Sequence, residues 1–244
     1  MFKLFGSRAV FAGTVSMLVA LGGSQVLAQG ISVPDYPGAE DLPQIKLSIT
    51  QSESPNSSFG QAAQVFADYV TAASKGKITF EIYWSSALMG PTEVPDGLAS
   101  GLVDLGGVAP SYDPAQFPMA NWLTQLAGQS RGPTPYAQLT FAMAQWEMAM
   151  TDPQLVKSFE DRGIKILGGT ALDGYSLLCR QPIRTLEDAR GKRVRTAGVV
   201  FANEAQALGM VPVPLLPTEI YEGFSRGIVD CVMHTPTGYI NYGI

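Results

Sequence analysis

"TLEDARGKRVRTAGVVFANEAQALGMVPVPLL", residues 185–216, reads as two turns of the same repeat. "TLEDARG" (185–191) is helical, "KRVRT" (192–196) is a short strand, "FANEAQALG" (201–209) is helical again, and "VPVPLL" (211–216) is a second strand. The alternation continues through a helix in "TEIYEGFSRG" (218–227) and a strand in "IVDCVM" (228–233). Strands joined through helices run parallel, with the helices covering the faces of the sheet, so the stretch predicts an α/β fold with a mostly parallel sheet.

The same alternation occurs upstream. "IKLSIT" (45–50) is a strand, after which Phe59, Ala62, Ala63, Phe66, Val70 and Ala73 recur at helical spacing, with Ser57 or Ser58 as N-cap and Gly76 just past the end. "ITFEIYW" (78–84) alternates with period two, placing Ile78, Phe80, Ile82 and Trp84 on one face, and "LVDLGGVA" (102–109) reads as a buried strand. Residues 134–150 form a Met- and Ala-rich helix whose Met143, Trp146 and Met150 are expected in a core. Asp152-Pro153 opens a further helix to about Arg162, and "IKILGGT" (164–170) is a strand ending in glycines. Because the pattern starts afresh after about residue 173, two α/β lobes are expected, 29–173 and 174–244, with Gly168, Gly169 and Gly174 near the join.

The N-terminus has a different purpose. Lys3 and Arg8 precede an apolar run from Ala9 to Leu21, and Val26-Leu27-Ala28 supplies the small residues of a cleavage site. Residues 1–28 are therefore read as a signal peptide, the run being shorter than the ~20 residues that span a bilayer. Removing Lys3 and Arg8 leaves 14 basic against 21 acidic residues, a net charge of −7 for an exported chain. Such an acidic balance argues against nucleic acid as a partner. In an oxidising compartment an even cysteine count favours a bond between Cys179 and Cys231, two buried free thiols being the alternative. Nothing has the spacing of a metal site, a cofactor loop or a nucleophile elbow, so no metal, cofactor or catalytic residue is assigned.

Against that acidic background Arg190, Lys192, Arg193 and Arg195 crowd into residues 190–195. A run of charge is ordinarily a solvated edge. Arg195, however, is the last strong strand residue before the next helix, and ligands of open α/β sheets bind beyond the carboxyl ends of strands. A helix N-terminus there favours an anion, and the planar guanidinium meets a carboxylate with two parallel hydrogen bonds. Arg190 is expected at a helix end facing water.

"PIRTLEDARGKRVRT" (182–196) together with "LGMVPVPLLPTEIYEGFSRGIVDCVMHTP" (208–236) resembles the second-lobe signature of the extracytoplasmic solute-binding proteins of tripartite ATP-independent periplasmic (TRAP) transporters. "FEIYWSSALMGPTEVPDGLASGLVDLGGVAPSY" (80–112) is similar to the first-lobe pattern of that family. The resemblance implies a two-lobed periplasmic binding protein with a ligand cleft between the lobes. It also implies capture of an organic acid in the periplasm, delivery to the permease membrane subunits, and a monomeric, non-enzymatic receptor. Position for position, Arg195 matches the family's carboxylate-binding arginine in Gly191-Lys192-Arg193-Val194-Arg195.

His234 stands where the family has a ligand-contacting Asn, and Tyr175 where some members that bind acidic sugars have a second arginine. Gln51, Ser111 and Tyr112 match cleft-lining places. Trp84, Tyr112, Tyr175 and Phe201 would admit a partly apolar or aromatic acid. Family members run well past residue 244, so an incomplete second lobe is expected. A binding protein for an ABC-type transporter or sensor shares the architecture, and a secreted hydrolase using His234 is the enzyme alternative.

Overall fold

The computed structural model describes residues 32–124, 136–169 and 174–244. The expected signal peptide and the expected join near residue 173 lie outside the described residues.

Residues 45–106 build the first sheet. Strand β1 (Ile45–Thr50) runs between β2 (Ile78–Tyr83) and the short β3 (Leu105–Gly106), all parallel, in the order β2-β1-β3. Helix α1 (Ser58–Ala73) makes the crossover from β1 to β2 and begins where the Ser57 side chain accepts from the Gly60 N–H. It turns Gly60 and Ala67 inward, while Phe66 lies at the margin with its ring 5.8 Å from that of Phe80. Gly60 is required where it is because a Cβ there would collide with the Ser54 carbonyl of the preceding loop. Along β2, Ile78, Phe80 and Ile82 are half-buried and Thr79 and Glu81 exposed, as the period-two pattern requires. The run 102–109 forms only the two ladder residues of β3, after helix α2 (Val94–Ser100). Asp104 fixes the register there, its carboxylate accepting from both the N–H and the hydroxyl of Ser48 at 2.7 Å.

Helices α3 (Pro118–Thr124), α4 (Tyr136–Thr151) and α5 (Pro153–Glu160) follow. Asp152 caps α5, accepting from the Gln154 and Leu155 N–H groups. Two expectations are corrected here. Residues 164–169 are not a strand: Ile164 is buried with Phe117, Leu123, Leu155 and Phe159, and Ile166 packs against them, so the apolar run feeds a helical core instead of a ladder. Nor are Met143, Trp146 and Met150 in a core, being 58, 42 and 45% exposed. α4 turns its small Ala137 inward and packs Ala149 on the helical core.

The second sheet has the order β4-β7-β5-β6, built from β4 (Ser176–Cys179), β5 (Arg193–Thr196), β6 (Val211–Pro214) and β7 (Cys231–His234). β5 runs parallel to both neighbours, and β4 alone is antiparallel. The "VPVP" of β6 is tolerable because β6 is an edge: Val211 donates to the Lys192 carbonyl, and Pro212, one residue on, has its nitrogen on the side away from β5. Helices α6 (Leu186–Ala189) and α7 (Gly198–Ala207) cover the face carrying Val194, Cys231 and Met233. α8 (Ile220–Ser225) covers the face of Val213 and Val232, and α9 (Pro236–Asn241) follows β7. Cys179 and Cys231 are register partners across β4 and β7 and are joined by a disulfide. No helix among the described residues is long and apolar enough to cross a membrane.

Candidate functional site

Strand alternation puts Arg193 and Arg195 on one face of β5, yet their surroundings differ completely. Arg193, at the amino end, is a surface clasp. Its Nε and Nη2 donate to the Asp230 carboxylate at 3.1 and 2.9 Å, and Nη2 also donates to the Gly227 carbonyl. Arg190 caps α6 with an exposed side chain, as expected.

Arg195 lies two residues further along and is 0% exposed. Its guanidinium is gripped from both flanking strands: Nε donates to the Leu215 carbonyl beyond β6 (3.0 Å), and Nη1 to the Met233 carbonyl of β7 (3.3 Å). Nη2 donates to the Tyr112 hydroxyl (3.3 Å), from the short 3-10 turn Pro110–Tyr112 that follows β3. Among the described residues three of its five N–H donors find acceptors, which leaves one on each terminal nitrogen. Every protein acceptor is neutral, and no carboxylate among the described residues pairs with this buried charge. Removing a cation from water without a counter-ion is expensive, so the arrangement favours an anion.

Around this cation stands an aromatic wall. Tyr175, just before β4, stacks on Phe201 of α7 with centroids 4.1 Å apart, and on the His234 imidazole at 5.5 Å. His234 ends β7, is 7% exposed, and meets Tyr242 edge-on at 5.2 Å. Its Nδ1 accepts from the Thr235 N–H (2.7 Å), so the ring proton of the neutral form sits on Nε2. Burial, and after it the positive charge of Arg195, lowers its pKa to about 4. With no ligand bound, the imidazole is therefore neutral at ordinary pH. Burial raises the Tyr175 phenol to about 12 and also pushes Tyr112 up, so both remain protonated donors.

Two glycines permit these approaches. Gly198 has φ +81°, and a Cβ there would lie 2.8 Å from the Ser111 carbonyl oxygen, so the start of α7 abuts the turn carrying Ser111 and Tyr112. Gly238, in the first turn of α9, lies so close to the His234 ring that a Cβ would collide with Nδ1.

Of the residues named from sequence, Arg195, Tyr112, Tyr175 and His234 come together, and Ser111 adjoins through Gly198. The Gln51 side chain is turned onto its own loop, its Oε1 accepting from the Glu53 N–H (3.2 Å). Glu53 and Tyr242 were not foreseen. The Tyr242 hydroxyl donates to Glu53 Oε1 at 2.7 Å, joining chain segments 189 residues apart, which no local pattern reveals. For Glu53 a signal existed: it is the charged residue in the loop at the carboxyl end of β1. A surface cavity of about 630 Å³ beside Arg180, Phe224 and Ile244 contains none of these residues. Among the described residues no His, Cys, Asp and Glu side chains gather as a metal site.

A buried cation at the carboxyl ends of parallel strands, with aromatic walls from several elements, has the form of a small-molecule site in an α/β protein. The chain belongs to the bacterial extracellular solute-binding proteins of family 7 (DctP), whose family profile matches residues 49–244. A solute-binding protein of Albidiferax ferrireducens is 26% identical over 184 residues, covering 72% of this chain and 50% of that protein. Among solved structures, a Bordetella pertussis extracytoplasmic solute receptor binding pyroglutamic acid matches with TM-score 0.67 and 24% identity, over 82% of this chain and 63% of that one. A Bordetella bronchiseptica TRAP periplasmic solute-binding protein with bound mandelate matches with TM-score 0.68 and 22% identity, over 82% and 61%. The chain thus spans half to under two thirds of the length of these relatives.

Proposed function

We propose that the protein is a periplasmic receptor of a TRAP transporter that captures an organic acid through Arg195 and hands it to a membrane permease. One observation carries this reading: a completely buried guanidinium that, among the described residues, has only neutral partners and an N–H left on each terminal nitrogen. A carboxylate is the anion whose two oxygens match that pair of donors. Pyroglutamic acid and mandelate, bound by the solved relatives, both carry a carboxylate, which supports the same choice.

In this reading residues 29–173 and 174–244 are two lobes, exported behind a signal peptide at 1–28. Tyr112 comes from the first lobe and Arg195 from the second, so a ligand held at Arg195 touches both. The bound ligand then favours the closed arrangement, and exclusion of water strengthens its ion pair. The receptor works as a monomer, by binding alone, with no catalytic step, metal or cofactor.

A thermal-shift screen over small carboxylates, followed by calorimetry, tests the reading. A true ligand at 100 times its Kd stabilises by about 2.7 kcal/mol, and Arg195→Ala removes that gain. A wild-type protein that no carboxylate stabilises would refute it.

A further inference from the structure

The loop between β1 and α1 brings a second charge to the cluster. Glu53 is half-buried and its backbone is fixed on both sides: its N–H donates to Gln51 Oε1, and its carbonyl accepts from the Ser85 N–H at 3.1 Å. A rigid loop therefore presents the carboxyl group. The Tyr242 hydroxyl satisfies one oxygen, and among the described residues no basic side chain pairs with the carboxylate. Burial holds its pKa above the usual range, as expected of a carboxylate short of partners.

The adjoining turn shares this character. Ser85 and Ser86 both have left-handed backbone, with φ 54° and 59°, and the Ser86 N–H donates to the Gln51 carbonyl at 3.1 Å. Such conformations are strained for residues other than glycine and tend to mark functional loops. The Ser86 hydroxyl oxygen is buried and, among the described residues, has no hydrogen-bond partner. Buried polar groups are normally paired, so this turn and the Glu53 loop together hold more hydrogen-bonding capacity than the protein uses.

Tyr242 ties Glu53 to the cluster: its hydroxyl donates to Glu53, and its ring meets that of His234 at 5.2 Å. Tyr112 and Tyr242 each feel the charge of both Glu53 and Arg195. The site thus has a cationic end, where the Tyr112 hydroxyl accepts from Arg195, and an acidic end, where the Tyr242 hydroxyl donates to Glu53.

We propose that Glu53 determines ligand choice, and that the ligand is a carboxylic acid carrying a hydrogen-bond donor (hydroxyl, lactam N–H or ammonium) which Glu53 accepts while Arg195 holds the carboxylate. The inference rests on the reading of Arg195 given above. A ligand without the donor leaves the second Glu53 oxygen desolvated and without a partner, and a second carboxylate meets a like charge, so simple fatty acids and dicarboxylates are discriminated against.

Calorimetry with matched acids tests this: lactate against propionate, mandelate against phenylacetate, pyroglutamate against cyclopentanecarboxylate, and succinate as the dicarboxylate. In the wild type the donor-bearing member of a pair binds about 5- to 100-fold more tightly, the range expected for leaving a buried polar group unsatisfied. Glu53→Ala brings the pair to within about twofold by weakening the donor-bearing acid alone, and Glu53→Gln, nearly isosteric, improves succinate binding by removing the like charge. If both variants keep the wild-type ratios, the inference is overturned while Arg195 stands as the anchor. If no carboxylate binds and Arg195→Ala changes nothing, the anchor itself is wrong and the inference falls with it.

Discussion

Arg195 and Tyr112 are 83 residues apart in the chain, and the guanidinium donates to the phenol oxygen at 3.3 Å. The bond connects the carboxyl ends of the two sheets, since Arg195 lies in β5 and Tyr112 in the turn after β3. Whatever occupies the remaining donors of Arg195 is thereby placed at this junction.

Replacing Arg195 by Ala is expected to weaken carboxylate binding by at least about 30-fold, the scale for leaving one member of a buried charge pair alone. Lys restores the charge without the planar fork, so rescue is partial and selectivity among acids declines. Arg190→Ala, at an exposed position, and Lys192→Ala, at a half-buried one on the opposite face of the strand from Arg195, should stay within about twofold of wild type, as charges outside the site usually do. Calorimetry on the four variants checks the set; a tight-binding Arg195→Ala would mean that another residue is the anchor.

Gly198→Ala tests the junction sterically. The substitution asks a non-glycine residue to hold φ +81° and places a methyl group 2.8 Å from the Ser111 carbonyl. A stability loss of roughly 1–3 kcal/mol is expected from the backbone conformation alone. The wedge also separates Tyr112 from Arg195, so ligand affinity falls further than for Tyr112→Phe, which removes only the hydroxyl. Equal affinities for these two variants would show that the close approach is incidental.

The disulfide offers a test that is independent of the ligand. Cys179 and Cys231 are 52 residues apart, and a bond closing a loop of that size restricts the unfolded chain by about 4 kcal/mol in the entropic account. The doubly substituted Cys179→Ala/Cys231→Ala protein should therefore unfold at lower denaturant concentration. Since β7 also carries Met233 and His234, loosening its pairing with β4 should weaken binding at Arg195 as well. Unchanged denaturation of the double variant would remove the bond from the account of stability.

Much of this architecture is legible where one local rule operates. Period-two alternation identified β2, the Ser57 cap opened α1, and the strand–helix alternation after residue 174 yielded β5, β6 and β7 in order. Arg195 was legible from its position at a strand end and from the resemblance around it. Reading failed where distant contacts decide. Ile164 and Ile166 look like strand residues, yet they complete a helical core through Phe117 and Phe159. The stripe of Met143, Trp146 and Met150 has helical spacing, but spacing cannot tell which side of α4 meets the core. The pairing of Glu53 with Tyr242, like the approach of Gly198 to Ser111, depends on tertiary geometry that leaves no periodic trace.

His234 supplies a pH dependence whose sign can be worked out. Its folded pKa of about 4 lies below the ordinary value of 6.5 because burial and the neighbouring Arg195 both oppose the imidazolium. Between these values the unfolded chain takes up the proton more readily, so stability declines as pH falls through that window and is fully present above about pH 6.5. The loss approaches about 3 kcal/mol at pH 4. His234→Asn removes this dependence, so the gap between wild-type and variant denaturation midpoints should change steadily from pH 6.5 down to 4. Ligand affinity behaves differently: between about pH 5.5 and 8 the buried ring stays neutral and offers one N–H at Nε2, so wild type and variant should show the same flat profile. An affinity that rises in the wild type alone as pH falls toward 5.5 would mean that the ligand's negative charge lifts the imidazole pKa into that range, with His234 acting beside Arg195 as a second cation.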